Sequence, residues 1–294
     1  MRDNFSLKNE LVTHGPLFPS QFRALELLGL GLLIFSFGTI PSVFPNSSSR
    51  GQAAAKYIMV GKTFNLRIVY FHMETTGLDP DSRHADVQIC SIAAYYQSAK
   101  KSFSQHLIPT CLVDPAATKI NKFKVVNGVL FHSGRKLKDA LPTKDGLEEF
   151  VRFLEEEVEE GGQKVKIVLV AHNNMNFDSV VLLNNMNRLG IPVPRNWAFA
   201  DTMRMLRIVK ARDPMNFSSI SLKNCLYVLF KEQIRRTRNA MDKTLDLIRV
   251  ADKVAQRYFE EASYAALLNA NRSHIVTPGC IKVAIEWRHR AQKQ

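Results

Sequence analysis

From Phe64 onward, short apolar runs alternate with stretches whose apolar residues recur every three to four positions, a texture that predicts an α/β domain built on a mixed sheet. Leu66 to Met73 reads as a strand. Val87 to Gln97 reads as its hairpin partner across the Asp79-Pro-Asp-Ser turn, and Lys101 to Pro109 as a third antiparallel strand. Glu148 to Glu160 predicts a helix with apolar residues at 150, 151, 154 and 158, ended by Gly161-Gly162. Lys164 to Ala171 is a continuous apolar run of the buried parallel type, and Ser179 to Leu189 a helix closed by Gly190 and Pro192. Three more helices follow: one from Asp201 to about Val209, one from Ser221 to Phe230 and a long one from about Arg238 to Tyr258. This divides the chain into an N-terminal arm over 1–63, an α/β domain over 64–258 and a basic C-terminal tail over 259–294.

The arm carries Leu27 to Phe44, an uncharged and mostly apolar run of 18 residues. Its length suits a membrane span or a late signal sequence, whereas Gly29, Gly31, Gly38 and Pro41 suit a leader, and Asn46-Ser-Ser-Ser-Arg-Gly-Gln reads as a flexible linker. Basic residues flank the run on both sides, so charge assigns no orientation. The cytoplasm or nucleus is the expected location, with anchoring through 27–44 as the alternative.

A formal net charge of +13 in 294 residues favours anionic partners, phosphate backbones foremost. Hydrophobic residues make up 46%, enough for one good-sized core. Cys90, Cys111, Cys225 and Cys280 lie far apart without C-x-x-C spacing, which argues against a zinc site or a disulfide framework.

Candidate chemistry begins in the first strand. Strand side chains alternate, so His72 and Glu74 share a face, and Thr75-Thr76-Gly77 follows as a turn that can offer backbone N–H groups and a hydroxyl to a nucleotide. A second piece is Ala171-His172-Asn173-Asn174-Met-Asn-Phe177-Asp178, which leads from a buried strand into a helix and puts Asp178 beside the strand ends where ligands of open α/β sheets bind. Read alone, Asp178 before Ser-Val-Val-Leu-Leu reads first as an ordinary helix N-cap, and Asp201 before Thr-Met-Arg-Met-Leu likewise reads as a cap more than a catalyst.

Together these segments resemble the DEDDh 3′–5′ exonuclease superfamily, whose signature runs D-x-E, H-N-x-x-F-D and H-x-A-x-x-D on a ribonuclease H-like fold. Gln88-Ile-Cys-Ser-Ile-Ala-Ala, Asp201-Thr-Met and Ser221-Leu-Lys-Asn-Cys-Leu also match it, and the likeness spans about Arg67 to Val250. The S-L-K-N-x-L element with Arg238-Asn-Ala-Met is similar to the degenerate exonuclease-like region of promyelocytic leukaemia protein and its relatives. The resemblance implies a ribonuclease H-like mixed sheet flanked by helices, single-stranded RNA or DNA as partner, Mg²⁺ or Mn²⁺ if the site is active, and a protein-docking scaffold as a further role. Glu74 and Asp178 are the ligands any retained metal would use.

The third motif departs from the pattern. Anchoring the family's alanine on Ala240 puts Arg238 at the general-base histidine and Lys243 at the last aspartate; sliding by one rescues Asp242 instead. At 100° per residue, Ala240, Thr244, Leu247, Ile248, Ala251 and Val254 cover one side of the helix. Asp242 falls on the polar face and Lys243 at the margin of the apolar one, which favours Lys243 in the slot. His72, Arg238 and Lys243 then replace three of five catalytic groups. A unit positive charge roughly 4 Å from a divalent ion costs about 8 kcal/mol at an effective dielectric of about 20, and a guanidinium takes no proton from water. The expectation is an impaired nuclease in which the Lys243 ammonium lies between Glu74 and Asp178, while Thr75, Thr76, His172, Asn173, Arg235 and Arg236 contact nucleic acid. The alternative is an active metal-dependent exonuclease using Glu74, Asp178 and Asp242, with His172 or His132 as substitute base.

Overall fold

The structure, a computed structural model, describes residues 65–79, 87–158, 165–232 and 239–281. The apolar N-terminal run, the Arg235–Arg238 segment and the basic end of the tail lie outside them. Among the described residues no helix is long and apolar enough to cross a membrane.

The central strand is β1 (Asn65–Thr75), buried on both faces over most of its length because its Ile-Val-Tyr-Phe run has neighbours on either side. It pairs antiparallel with β2 (Ile89–Tyr96), which pairs antiparallel with β3 (Lys101–Ile108). On its other edge lie the parallel strands β8 (Val165–Ala171) and β9 (Trp197–Asp201). Between β3 and β8 the chain forms α1 (Pro115–Asn121), a three-stranded sheet of β4 (Phe123–Val126), β5 (Val129–His132) and β6 (Arg135–Lys136), the short β7 (Leu141–Pro142) and α2 (Thr143–Phe153). The main sheet has the order β7-β3-β2-β1-β8-β9. The ribonuclease H-like mixed sheet expected from the sequence is present.

Alternation on β1 feeds two cores. Val69, Phe71 and Met73 face Leu147 and Phe150 of α2 and Val180, Leu183 and Met186 of α3 (Asp178–Arg188). Ile68 and Tyr70 face the opposite layer, made by α4 (Thr202–Arg212), α5 (Leu222–Phe230), α6 (Ala240–Phe259) and α7 (Tyr264–Ala270). The tail expected from 259 is not separate over its described part: Tyr264, Leu268, Ile275 and Ile281 are buried, and Val276 exchanges backbone hydrogen bonds with Phe199.

The helix α2 begins five residues earlier than its apolar spacing predicts. Gly146 lies inside that added turn because a Cβ there would come within 2.1 Å of Leu107 Cδ2, so only a glycine lets helix and β3 approach this closely. The small sheet was not expected at all. Its turns are Asn127-Gly128 and Ser133-Gly134, each with both residues at positive φ, the mirror-image turn that matches strand twist in two-residue hairpins.

Candidate functional site

The C-terminal end of β1 presents two cross-strand rows on the face that α6 covers. His72 stands beside Ala93 and Ser104, and Glu74 beside Ser91 and His106. The first carboxylate therefore arrives on a rigid central strand, 6% exposed.

The second arrives through the loop His172–Phe177. Asn174 is wholly buried, and its amide donates to the carbonyls of Leu169 and Ala200, clamping the ends of β8 and β9. Asp201 accepts from the backbone N–H groups of Asn173 and Met175 and from Met203, so it holds the loop and caps α4 at once. Asn173 takes a left-handed conformation, φ 66°, to make that turn. Asp178 then follows as the first residue of α3, with Phe177 at the N-cap and no side-chain cap. Asp178 is thus not a cap: its carboxylate points to His72, with Oδ1 3.8 Å from Nδ1.

The imidazole of His72 sits between the two carboxylates, its Nε2 3.5 Å from Glu74 Oε1. Both separations exceed good hydrogen-bonding distance. Among the described residues neither His72 Nε2 nor Asp178 Oδ1 has a hydrogen-bond partner. The ammonium of Lys243 donates to Glu74 Oε1. This differs from the expected bridge in one respect. Lys243 reaches Glu74 from the first turn of α6, whereas the ring at 72 shares a strand face with Glu74 and fills the gap towards Asp178. Asp242 is turned away: it accepts from the Asn239 backbone N–H while Asn239 caps the Asp242 N–H, a reciprocal box on the exposed side of α6.

The electrostatics of the two carboxylates diverge. Burial is the largest single influence on Glu74 and raises it, but His72 and Lys243 together outweigh burial and hold the carboxyl below its usual range. Asp178 is pushed up to about 6, by burial first and by Asp201 as well, against the opposing pull of His72 and the Met73 backbone. Burial also lowers His172, whose Nδ1 is 3.1 Å from the Thr202 hydroxyl. His132 of β5 is lowered by burial and by His106, while Glu74 acts on it in the opposite sense.

Several residues expected to face nucleic acid are otherwise engaged. Thr75 donates its hydroxyl to the Gly77 carbonyl, and the Thr76 hydroxyl accepts from the Gln88 N–H; each residue is only 4% exposed. Asn173 Oδ1 accepts from Asn176. Sequence reasoning gave no role to Asn121, whose buried amide donates to the Thr75 carbonyl and ties α1 to the end of β1.

The donor set does not suit a hard divalent cation. His72 brings an imidazole beside Glu74, the Lys243 ammonium holds a Glu74 oxygen, and among the described residues no three His, Cys, Asp or Glu side chains are grouped to hold a metal.

The Arabidopsis thaliana protein "Exonuclease DPD1, chloroplastic/mitochondrial" is 29% identical over 146 residues, 48% of this chain and 41% of its own length, so the chain spans about two fifths of that curated relative. Among solved structures, zinc-bound E. coli ExoI in complex with ssDNA is similar over 67% of this chain and 42% of its own, at 15% identity and a TM-score of 0.49. The nuclease domain of 3′hExo, a DEDDh family member bound to rAMP, is similar over 64% of this chain and 90% of its own, at 13% identity and a TM-score of 0.45. The family model of the Exuperantia RNase H-like domain matches residues 66–215, just over half of the chain, which therefore belongs to that family.

Proposed function

We propose that this protein is an exonuclease-fold binder of single-stranded nucleic acid whose hydrolytic centre is blocked. The observation that carries the reading is the hydrogen bond from the Lys243 ammonium to Glu74. A divalent ion beside that ammonium meets a repulsion of about 8 kcal/mol at 4 Å and an effective dielectric of about 20. The position that should supply another oxygen ligand carries His72. The net charge of +13 supplies attraction for a phosphate backbone that needs no metal.

An active enzyme is the reading favoured by the likeness to the Arabidopsis exonuclease. It requires a divalent metal, Mg²⁺ or Mn²⁺, and requires Lys243 to leave Glu74. Asp242 offers it no third carboxylate while it serves the α6 cap. Incubation of the purified full chain with 3′-labelled and 5′-labelled oligonucleotides in Mg²⁺ or Mn²⁺ separates the two. We expect no shortening, together with metal-independent binding that weakens as salt rises. Shortening that a chelator stops, and that Glu74→Gln abolishes, overturns the blocked-centre reading.

A further inference from the structure

We propose that the outward face of the small sheet β4-β5-β6 is a stacking platform for single-stranded nucleic acid beside the cleft. The inference rests on the reading of the chain as a single-strand binder and adds where the strand lies.

Register divides the small sheet into two faces. Phe123, Val125, Leu130 and His132 point inward, where Phe123, Val125 and Leu130 pack with Cys90 and the Phe123 and His132 rings lie 4.7 Å apart. Cross-strand neighbours share a face, so Lys124, Phe131 and Lys136 stand in one outward row, with Phe131 central on β5. Adjacent strands lie about 4.8 Å apart, which places the two lysine stems about 10 Å apart with the ring midway. Val126 and Val129 form the next outward row, and Val126 is 40% exposed. Lys124 and Lys136 are exposed, Phe131 is half-buried, and the ring belongs to none of the three apolar clusters among the described residues.

A half-buried aromatic ring between two ammonium groups offers a base a π-face and its flanking phosphates two cations. The three strands carry no acidic residue: their sequences are Phe-Lys-Val-Val, Val-Leu-Phe-His and Arg-Lys. Lys122, exposed, extends the charge at the sheet's margin, while Arg135 stands opposite His132 on the other face. An acidic peptide would use the ammonium groups and leave the ring unexplained; a duplex would hide the base faces that the ring needs. The small sheet is tied to the end of β1 at Asn121, which donates to the Thr75 carbonyl immediately before β4 begins.

The test is fluorescence anisotropy of the full chain with labelled oligo(dT) and oligo(U) 12-mers, a duplex of the same length, and polyglutamate as competitor. Base–aromatic stacking of the usual strength predicts that Phe131→Ala weakens single-strand binding about 5- to 150-fold with the salt dependence unchanged. Phe131→Leu keeps the apolar volume, and the same loss with unaltered thermal unfolding separates stacking from folding. Lys124→Gln with Lys136→Gln should lower the slope of log K against log salt by about 1.4, two neutralised contacts at about 0.7 each. Undiminished binding in all these folded variants overturns the platform and leaves the single-strand reading intact. Equal affinity for the duplex, or displacement by polyglutamate with Phe131→Ala indifferent, also overturns it. A wild-type protein that binds neither oligonucleotide overturns both.

Discussion

The ammonium–carboxylate contact at the head of α6 is the feature whose energetics can be measured most directly. Glu74 is 7% exposed at its side chain and Lys243 27%, so the pair is largely shielded. At a hydrogen-bonding separation of about 3 Å and an effective dielectric of about 20, the attraction is about 5 kcal/mol. Desolvation of the two groups takes back much of it, as for other partly buried pairs. A coupling of about 1–3 kcal/mol between the residues should remain. The perturbation is a double-mutant cycle with Lys243→Met, Glu74→Gln and both together, read by urea unfolding at neutral pH. Lys243→Met alone leaves a buried carboxylate without the ammonium that bonds it and should cost more than Glu74→Gln, which leaves a partly exposed ammonium able to reach water. In the double variant most of the loss should disappear. A coupling below about 0.5 kcal/mol, the level at which independent sites simply add, refutes the claim that Lys243 neutralises Glu74.

Asp178, raised to about 6 in the fold against 3.8 ordinarily, binds its proton more tightly folded than unfolded. Its contribution is therefore present below the unfolded value and is lost as pH rises from about 4 to about 6, by at most about 3 kcal/mol. Asp178→Asn should flatten that limb of the stability–pH curve and stabilise the protein at pH 7; an unchanged curve contradicts the assignment. Glu74 acts in the opposite sense, its lowered carboxyl contributing stability that disappears as pH falls through its folded value, so Glu74→Gln should reduce acid sensitivity on the acid side of the ordinary carboxyl value of 4.5 in a urea series. The joint substitutions His72→Asp and Lys243→Asp add two oxygen donors beside Glu74 and Asp178, and calorimetry should then register Mn²⁺ binding well above the wild-type signal; a folded variant that binds no better tells against the proposed blockade. Gly146→Ala forces a methyl against buried Leu107 and should destabilise by about 1–3 kcal/mol in thermal or urea unfolding.

Much of the scaffold was legible because burial leaves a periodic trace along the chain. The continuous apolar run of β8, the alternation of β1 and the helical spacing of α6 each record which faces meet the core, and they record it locally. The choice between two neighbours on one helix was readable for the same reason: 100° separates successive residues, so Asp242 and Lys243 cannot share a face. The Asn-Gly and Ser-Gly turns of the small sheet were equally visible as hairpin signals between β-prone residues and went unread. Asp178 and Asp201 illustrate the opposite case. Each precedes a helical pattern, yet one aims its carboxylate at His72 and the other takes three backbone N–H groups, an outcome set by where β8 and β9 deliver their loops.

By itself, then, the chain's order of residues determined the central strands of the main sheet and most of the helices that flank it. Only the tertiary structure decided that Lys243 bonds Glu74 across 169 residues, that an imidazole and not the ammonium separates Glu74 from Asp178, and that the Thr75 and Thr76 hydroxyls are consumed internally. The reason is physical. Periodicity encodes the direction in which a side chain leaves its own element, whereas the atom it meets depends on how two elements distant in sequence pack against one another.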